Sequence, residues 1–145
     1  MGQVVNPLPP YPMKDSEDDD MDSERPVFVQ IVEVLEDGIL DGTYGVGDMV
    51  ASTNQIARLF GVNPETAVKA LRTLADRGVV ERRRGLGMAV LPEARDAILV
   101  RRRQEFFDNL APRFVAEARK LGIGRDQLTA LLTEHVAKED DHDHL

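Results

Sequence analysis

Residues 52–71 read STNQIARLFGVNPETAVKAL, and this stretch decides the fold. Ser52 is placed to cap a short helix whose apolar side chains share one face, and Gly61 is a typical helix stop. The run Asn63-Pro64-Glu65 combines a capping side chain, proline at the first helical position and an acid in the first turn, so it predicts the start of a second helix. That helix is expected to end near Gly78 and to bury Ala67, Val68, Leu71, Leu74 and Ala75. Two short helices joined in this way form a helix-turn-helix motif.

An amphipathic helix is predicted before this motif and a β-hairpin after it. From Pro26, apolar residues recur at three- and four-residue spacing, and the acidic residues between them, Glu36 included, are expected on the polar face. Residues 79–90 read VVERRRGLGMAV, two short β-prone runs around a basic turn, which is typical of a hairpin, or wing. Three helices followed by a hairpin predict a mainly α fold with a small β-hairpin. We interpret residues 25–91 as a winged helix-turn-helix domain.

A short helical domain is predicted for residues 92–137. Pro112 should kink or divide its long first helix, because proline removes a backbone donor and crowds the preceding turn. Its aromatic side chains could be core, facing the winged domain or the other helix. Helices of this size cannot bury so many apolar side chains unaided, however, so we favour a symmetric dimer. The residues predicted to cross its two-fold axis are Phe106, Leu110, Phe114, Leu128 and Leu131.

Both ends of the chain are acidic. Residues 1–24 hold seven acidic residues against Lys14, together with four prolines, and residues 138–145 hold four acidic residues against Lys138. Such segments cannot bury enough apolar surface to offset the entropy of ordering, so both are predicted to be disordered acidic tails. His142 and His144 could bind a divalent ion weakly, but a solvated tail is the favoured interpretation and no metal site is predicted.

The formal charge of −8 therefore hides a local basic region. Residues 58–84 carry seven basic side chains against three acidic ones. A polyanion meets this local field rather than the average over the whole chain. The overall acidity does not exclude a nucleic-acid partner.

Composition excludes several functional classes. The chain has no cysteine, which excludes a disulfide framework, a thiolate zinc site and a cysteine nucleophile, and its three histidines lie near the end of the sequence. No uncharged apolar run approaches the roughly 18 residues of a membrane span, and no signal peptide opens the chain. We therefore expect a cytoplasmic protein that is not an enzyme, with no cofactor and no membrane partner.

Double-stranded DNA is the predicted partner of the helix-turn-helix and the wing. The exposed face of the helix from Pro64 is expected to enter the major groove, while three consecutive arginines in the wing neutralise phosphates. Alone, that helix face could equally be an ordinary solvated surface, but its combination with the basic wing favours DNA binding. The predicted DNA-binding residues are Ser52, Asn54, Asn63, Glu65, Thr66, Lys69, Arg72, Arg82, Arg83, Arg84, Gly85 and Gly87.

The stretch from Pro26 to Val90 resembles the winged-helix domain of GntR-family bacterial transcription regulators. The resemblance rests on the segments 26–31, 42–49, 52–57, 62–67, 78–80 and 84–88, and it extends over roughly residues 26–136. The short C-terminal part resembles the YtrA subfamily, whose members dimerise through a small helical domain and lack a large effector domain. The resemblance implies regulation of a neighbouring operon, often one for an ABC transporter.

Two positions depart from the family pattern. Asn54 stands where the family usually has arginine, and Asn63-Pro64 stands where serine and arginine usually open the recognition helix. The replaced arginines commonly contact bases, so the family's operator preference does not carry over. Five predicted DNA-binding residues remain matched to the family by position and compatible with it in chemistry: Ser52, Asn54, Thr66, Lys69 and Gly87.

These observations predict a homodimeric, sequence-specific DNA-binding transcription regulator. A repressor is favoured over an activator, because occlusion of a promoter requires no surface that contacts polymerase. Its operator is expected to be pseudo-palindromic, since two recognition helices enter successive major grooves. The alternative is a winged-helix protein-interaction module that has lost DNA binding. A small-molecule effector is left open as a further partner, because the sequence contains no motif for one.

Overall fold

A computed structural model describes residues 25–143, so the predicted tail 1–24, together with His144 and Leu145, lies outside the described residues. The elements in chain order are α1 (Val27–Leu40), α2 (Thr53–Phe60), α3 (Pro64–Asp76), β1 (Val80–Arg83), β2 (Gly87–Val90), α4 (Ala94–Glu105), a π-helical turn (Phe106–Leu110), α5 (Ala111–Lys120) and α6 (Arg125–Asp143). Three helices precede an antiparallel hairpin and further helices follow it. The predicted fold class is confirmed.

The core of the winged domain forms where α1, α2 and α3 meet. Ile31 and Leu35 on α1, Ile56 on α2 and Leu74 on α3 are all fully excluded from solvent. Burying each such side chain contributes about 1.5 to 3 kcal/mol to folding. The hairpin closes one side of this cluster with Val79, Val80 and Val90.

α4 begins as part of the same core. Ala94 and Ile98 are 1% and 0% exposed and belong to the buried cluster of the winged domain. The first compact unit of the chain ends at Val100, and the second begins at Arg101. The structure thus moves the domain boundary from the predicted residue 91 to Val100, because the first turns of α4 bury apolar side chains with the winged domain.

The wing is a hairpin with a third segment against its base. β1 and β2 pair in antiparallel register, with Val80 opposite Val90 and Arg82 opposite Met88. The loop between α1 and α2 joins the free edge of β2, where the Gly47 and Val50 amides donate to the Val90 and Met88 carbonyls, both at 2.9 Å. Backbone hydrogen bonds therefore connect the segment leading into α2 to the wing.

Tyr44 and Gly38 form a packing contact that sequence patterns do not reveal. Tyr44 is 2% exposed, and its ring lies so close to α1 that a Cβ atom on Gly38 would be 3.0 Å from the ring carbon Cδ2. The Tyr44 amide donates to the Gly38 carbonyl at 2.9 Å. Glycine inside α1 is explained by this close approach of the Tyr44 ring.

The structure corrects the prediction that Glu36 lies on the polar face of α1. Its side chain is fully buried, and its Oε2 atom lies 3.5 Å from Nη1 of Arg77, the C-cap residue of α3. A buried carboxylate requires such a partner, since burying it alone would be costly. Charge along a sequence does not reveal this pairing, because Arg77 is distant in the chain.

The second unit contains the predicted break at Pro112. The backbone widens into a π-helical turn over Phe106–Leu110, and α5 starts with Pro112 in its first turn. Proline cannot donate to the preceding turn, and the wider turn accommodates that loss. Gly122, with φ +71°, ends α5 as predicted.

The C-terminal segment is helical where a disordered tail was predicted. α6 continues from Arg125 to Asp143, so residues 138–143 belong to the helix. Nζ of Lys138 lies 3.1 Å from Oε1 of Glu134 one turn earlier, and the segment holds neither glycine nor proline. Pairs at this spacing support a helix. An acidic composition alone therefore misled the prediction for these residues.

Candidate nucleic-acid interface

Local capping fixes the two helices of the helix-turn-helix motif. The Gln55 amide donates to Ser52 Oγ at 3.2 Å, and the Ser52 amide donates to Gln55 Oε1 at 2.8 Å, which completes a capping box at the start of α2. Gly61 adopts φ +64° at the C-cap of α2. The Glu65 amide then donates to Asn63 Oδ1 at 3.1 Å and begins α3. The predicted caps and the predicted turn are confirmed at each of these residues.

A groove runs between α3 and the wing, with the N-terminus of α2 at its third side. Its volume is about 350 Å³. We call it the α3–wing groove and define it by its lining residues Ala51, Ser52, Thr53, Asn54, Val68, Leu71, Arg72, Ala75, Arg82, Gly87 and Met88. Five of the predicted DNA-binding residues thus come together on one surface: Ser52, Asn54, Arg72, Arg82 and Gly87.

The wing presents its three arginines to solvent. Arg82, Arg83 and Arg84 are all exposed, and the Leu86 amide donates to the Arg83 carbonyl at 2.9 Å across a tight turn. Gly85 has φ +75°, a conformation that disfavours side chains, so glycine is required at the tip. The arginines differ in environment, because Arg82 faces the α3–wing groove while Nη2 of Arg83 lies 3.4 Å from Oε2 of Glu81.

Lys69 is exposed, and its ammonium group contacts an aromatic ring of α1. Its Nζ atom lies 4.3 Å from the centroid of the Phe28 ring on α1, in a cation–π contact. Lys69 therefore stands at the edge of α3 that faces α1, away from the α3–wing groove. Thr66, which was also predicted to face DNA, is half-buried, whereas Glu65 is exposed at the start of α3.

Val68 is the residue of α3 that sequence reasoning placed wrongly. It was expected in the core, but it is 39% exposed and lines the α3–wing groove. The other apolar residues Ala67, Ala70, Leu71 and Leu74 are between 0% and 6% exposed. The sequence does contain a signal for this exposure, since Val68 stands four residues before Arg72 and therefore lies on the same side of the helix.

The predicted dimer-interface residues lie in the second unit with their side chains largely uncovered. Phe106, Leu110, Phe114 and Leu131 are 42–54% exposed, and Leu128 is half-buried. Phe106 packs edge-on against Phe107, with 5.2 Å between ring centroids. Large apolar side chains exposed to this extent mark a surface that is suited to a partner.

Comparison with known proteins identifies the winged domain. Residues 28–90 match the family described as "Bacterial regulatory proteins, gntR family". The chain carries a GntR-family DNA-binding domain. The match spans α1 to the end of β2, so it includes the helix-turn-helix, the wing and the α3–wing groove.

Three relatives extend the likeness beyond the GntR domain. The HTH-type transcriptional repressor YtrA of Bacillus subtilis is 25% identical over 112 residues, which cover 77% of this chain and 85% of YtrA. A GntR-family transcriptional regulator from Listeria monocytogenes superposes with a TM-score of 0.62 at 27% identity, over 78% of this chain and 97% of that one. BusR of S. agalactiae, solved in complex with its busAB-promotor DNA, has a TM-score of 0.51 at 25% identity, over 78% of this chain and 56% of BusR.

The winged domain therefore belongs to the gntR family of bacterial regulatory proteins, and most of the chain is similar to the transcriptional repressor YtrA. Since GntR-family regulators act by binding DNA rather than by catalysis, the protein is not an enzyme. Among the helices of residues 25–143, none combines the length and the apolar character of a membrane-spanning segment.

Proposed function

We propose that this protein is a homodimeric repressor that binds a pseudo-palindromic operator through α3 and the wing. The observation that carries the proposal is the α3–wing groove, where polar and cationic side chains from α2, α3 and the wing face one another. A winged-helix protein reads DNA with its recognition helix in the major groove. In this chain α3 is that helix, because its N-terminus is capped and its polar face is exposed.

The proposed DNA contacts fall into groups according to the chemistry of their side chains. Arg82, Arg83 and Arg84 are exposed, cationic and adjacent, which suits phosphates, and Gly85 and Gly87 let the backbone of the tip approach DNA closely. Arg72 points into the groove from the middle of the exposed face of α3, where it can reach base edges. The remaining proposed contacts come from the ends of α2 and α3 and from the α1 edge of α3: Ser52, Asn54, Asn63, Glu65, Thr66 and Lys69.

The second unit supplies the proposed dimer interface. Phe106, Leu110, Phe114, Leu128 and Leu131 come from the π-helical turn, α5 and α6. Covering these side chains would remove a large apolar area from water, at about 25 cal/mol per Å². A second copy of the chain is the natural cover, since a two-fold axis would also supply the second recognition helix that a pseudo-palindrome requires.

Repression is proposed on two grounds. YtrA, the similar Bacillus subtilis protein, is a transcriptional repressor. Occlusion of a promoter also needs only tight binding, without a further surface for polymerase.

The deciding experiment selects bound duplexes from a random library with the purified full-length chain, then measures affinity and stoichiometry on the selected sequence. We expect an inverted repeat bound by two chains, with affinity that falls steeply as salt rises. A reporter driven by a promoter that overlaps this sequence should be silenced. A chain that dimerises in solution yet binds no duplex at any salt concentration would contradict the proposal and favour the protein-interaction module.

A further inference from the structure

Val68 is a branched apolar side chain that lies outside the hydrophobic core of the winged domain. Its four apolar neighbours on α3 are almost completely buried, whereas Val68 is 39% exposed. Val68 belongs neither to the hydrophobic core cluster nor to the half-buried residues that pack against that cluster. Packing in the hydrophobic core therefore does not account for a branched apolar residue at this position.

Helical geometry places Val68 at the wing edge of the exposed face of α3. With 3.6 residues per turn, Glu65 and Arg72 fall at the centre of that face, and Val68 and Lys69 fall on opposite sides of it. The contacts agree with this placement, because Lys69 lies over Phe28 while Val68 lines the α3–wing groove. When α3 enters a major groove, Val68 is carried in beside Arg72.

One part of the α3–wing groove, on the side of α3 that holds Val68, is apolar, while Arg72 and Arg82 are among the polar residues that line the rest. Leu71, Ala75 and Met88 line the same groove, and Met88 packs against the core. A polar base edge placed against this wall would lose hydrogen bonds to water without replacement. An apolar group of the DNA would not incur that cost.

Among the groups displayed in the major groove, the C5-methyl of thymine is the apolar one. We propose that Val68 is a specificity-determining residue that reads one thymine in each half-site through its methyl group. The inference rests on the proposed function and deepens it. Beside the polar contacts of Arg72, Val68 would thus make an apolar contact that depends on shape and on the exclusion of water.

The test removes a single methyl group from the DNA. In the selected operator, each symmetric pair of thymines is replaced in turn by deoxyuridine, which keeps base pairing and lacks only the C5-methyl. For the full-length chain we expect one pair at which affinity falls by about four-fold per half-site, the effect of exposing one methyl-sized group. The Val68→Ala variant should bind the thymine operator more weakly and should no longer distinguish deoxyuridine from thymine at that pair.

Two controls separate this contact from general effects. Val46→Ala makes the same substitution at a residue that is 64% exposed and outside the α3–wing groove, so it should keep the full methyl dependence. Val68→Ala should also leave the slope of log affinity against log salt unchanged, because valine contacts no phosphate.

Distinct results overturn the inference and the proposed function. If the chain binds its selected operator but no thymine pair is sensitive to deoxyuridine, or if Val68→Ala keeps the sensitivity, the role of Val68 is refuted while DNA binding stands. If no duplex is bound under any condition, the proposed function fails and the inference fails with it.

Discussion

Asn63 holds the first turn of α3 through one side-chain hydrogen bond to the Glu65 amide. Asn63→Ala should lower the free energy of unfolding by about 1 kcal/mol, because a helix amide loses its partner. Asn63→Asp, which keeps a capping oxygen, should stay close to the wild type. Urea denaturation followed by circular dichroism measures both variants. Equal stability of all three proteins would mean that the cap does not contribute.

Tyr44 places a hydroxyl group inside the winged domain without a hydrogen-bond partner among residues 25–143. An unsatisfied buried hydroxyl is destabilising. Tyr44→Phe should therefore raise the free energy of unfolding by about 1 kcal/mol, as measured by urea denaturation at neutral pH. A loss of stability in Tyr44→Phe would show that the hydroxyl is satisfied in solution.

Tyr44 should also make the free energy of unfolding depend on pH, in a direction that follows from its pKa shift. Burial raises the pKa of Tyr44, and the Ala51 backbone opposes that shift only in part, without the geometry of a hydrogen bond. A raised pKa means that the folded protein keeps its proton where the unfolded chain has lost it. Stability should fall as pH rises above about 10, the ordinary pKa of tyrosine. Tyr44→Phe should reduce this alkaline loss.

We expect the arginines of the wing to cause much of the salt dependence of DNA binding. Replacing Arg82, Arg83 and Arg84 together by alanine should weaken binding to every sequence and flatten the salt slope by about 0.9 for each phosphate that is no longer neutralised. Arg83 should contribute less than its neighbours, because Glu81 already lies beside it. Fluorescence anisotropy over a salt series measures the slope.

The matched control for the wing uses three exposed cations of the second unit. Arg113, Arg119 and Lys120 lie on α5, and their joint replacement by alanine removes the same total charge. That variant should keep the slope of the wild type. If both triple variants change the slope equally, the wing is not a specific phosphate clamp and the effect is one of net charge.

The elements differ in how well the sequence predicts them. The caps at Ser52 and Asn63 and the stop at Gly61 depend on residues within one turn, so local patterns are sufficient. The burial of Glu36 depends on which elements pack together, and no local pattern carries that information. The exposure of Val68 had a local signal, its spacing of four residues from Arg72 on one side of the helix. In the candidate site, the sequence predicted five groove residues, but it placed Val68 in the core and Lys69 among the DNA-binding residues, whereas Val68 lines the groove and Lys69 lies over Phe28.

At the scale of the whole molecule, dimerisation and operator binding should be lost together. Leu131→Glu introduces a charge at the centre of the proposed apolar interface and should convert the dimer to a monomer in sedimentation experiments. Affinity for a full inverted repeat should then fall towards that for a single half-site. Thr129→Glu introduces the same charge at an exposed residue on another side of α6 and should remain dimeric. A Leu131→Glu protein that is still dimeric would exclude this interface.

The segment along the free edge of β2 also has a thermodynamic consequence. The amides of Gly47, Val50 and Val90 are held by hydrogen bonds in a backbone ladder that continues into the capped start of α2. Two sides of the α3–wing groove are thus held in place by backbone hydrogen bonds before any partner arrives. These three amides should exchange slowly with deuterium in the free protein and the amides of the tip quickly, with DNA protecting mainly the tip. A wing that is formed in advance keeps the entropic cost of recognition small. Insertions that lengthen the loop between Gly47 and Val50 should therefore weaken operator binding, although these residues are not among the proposed DNA contacts.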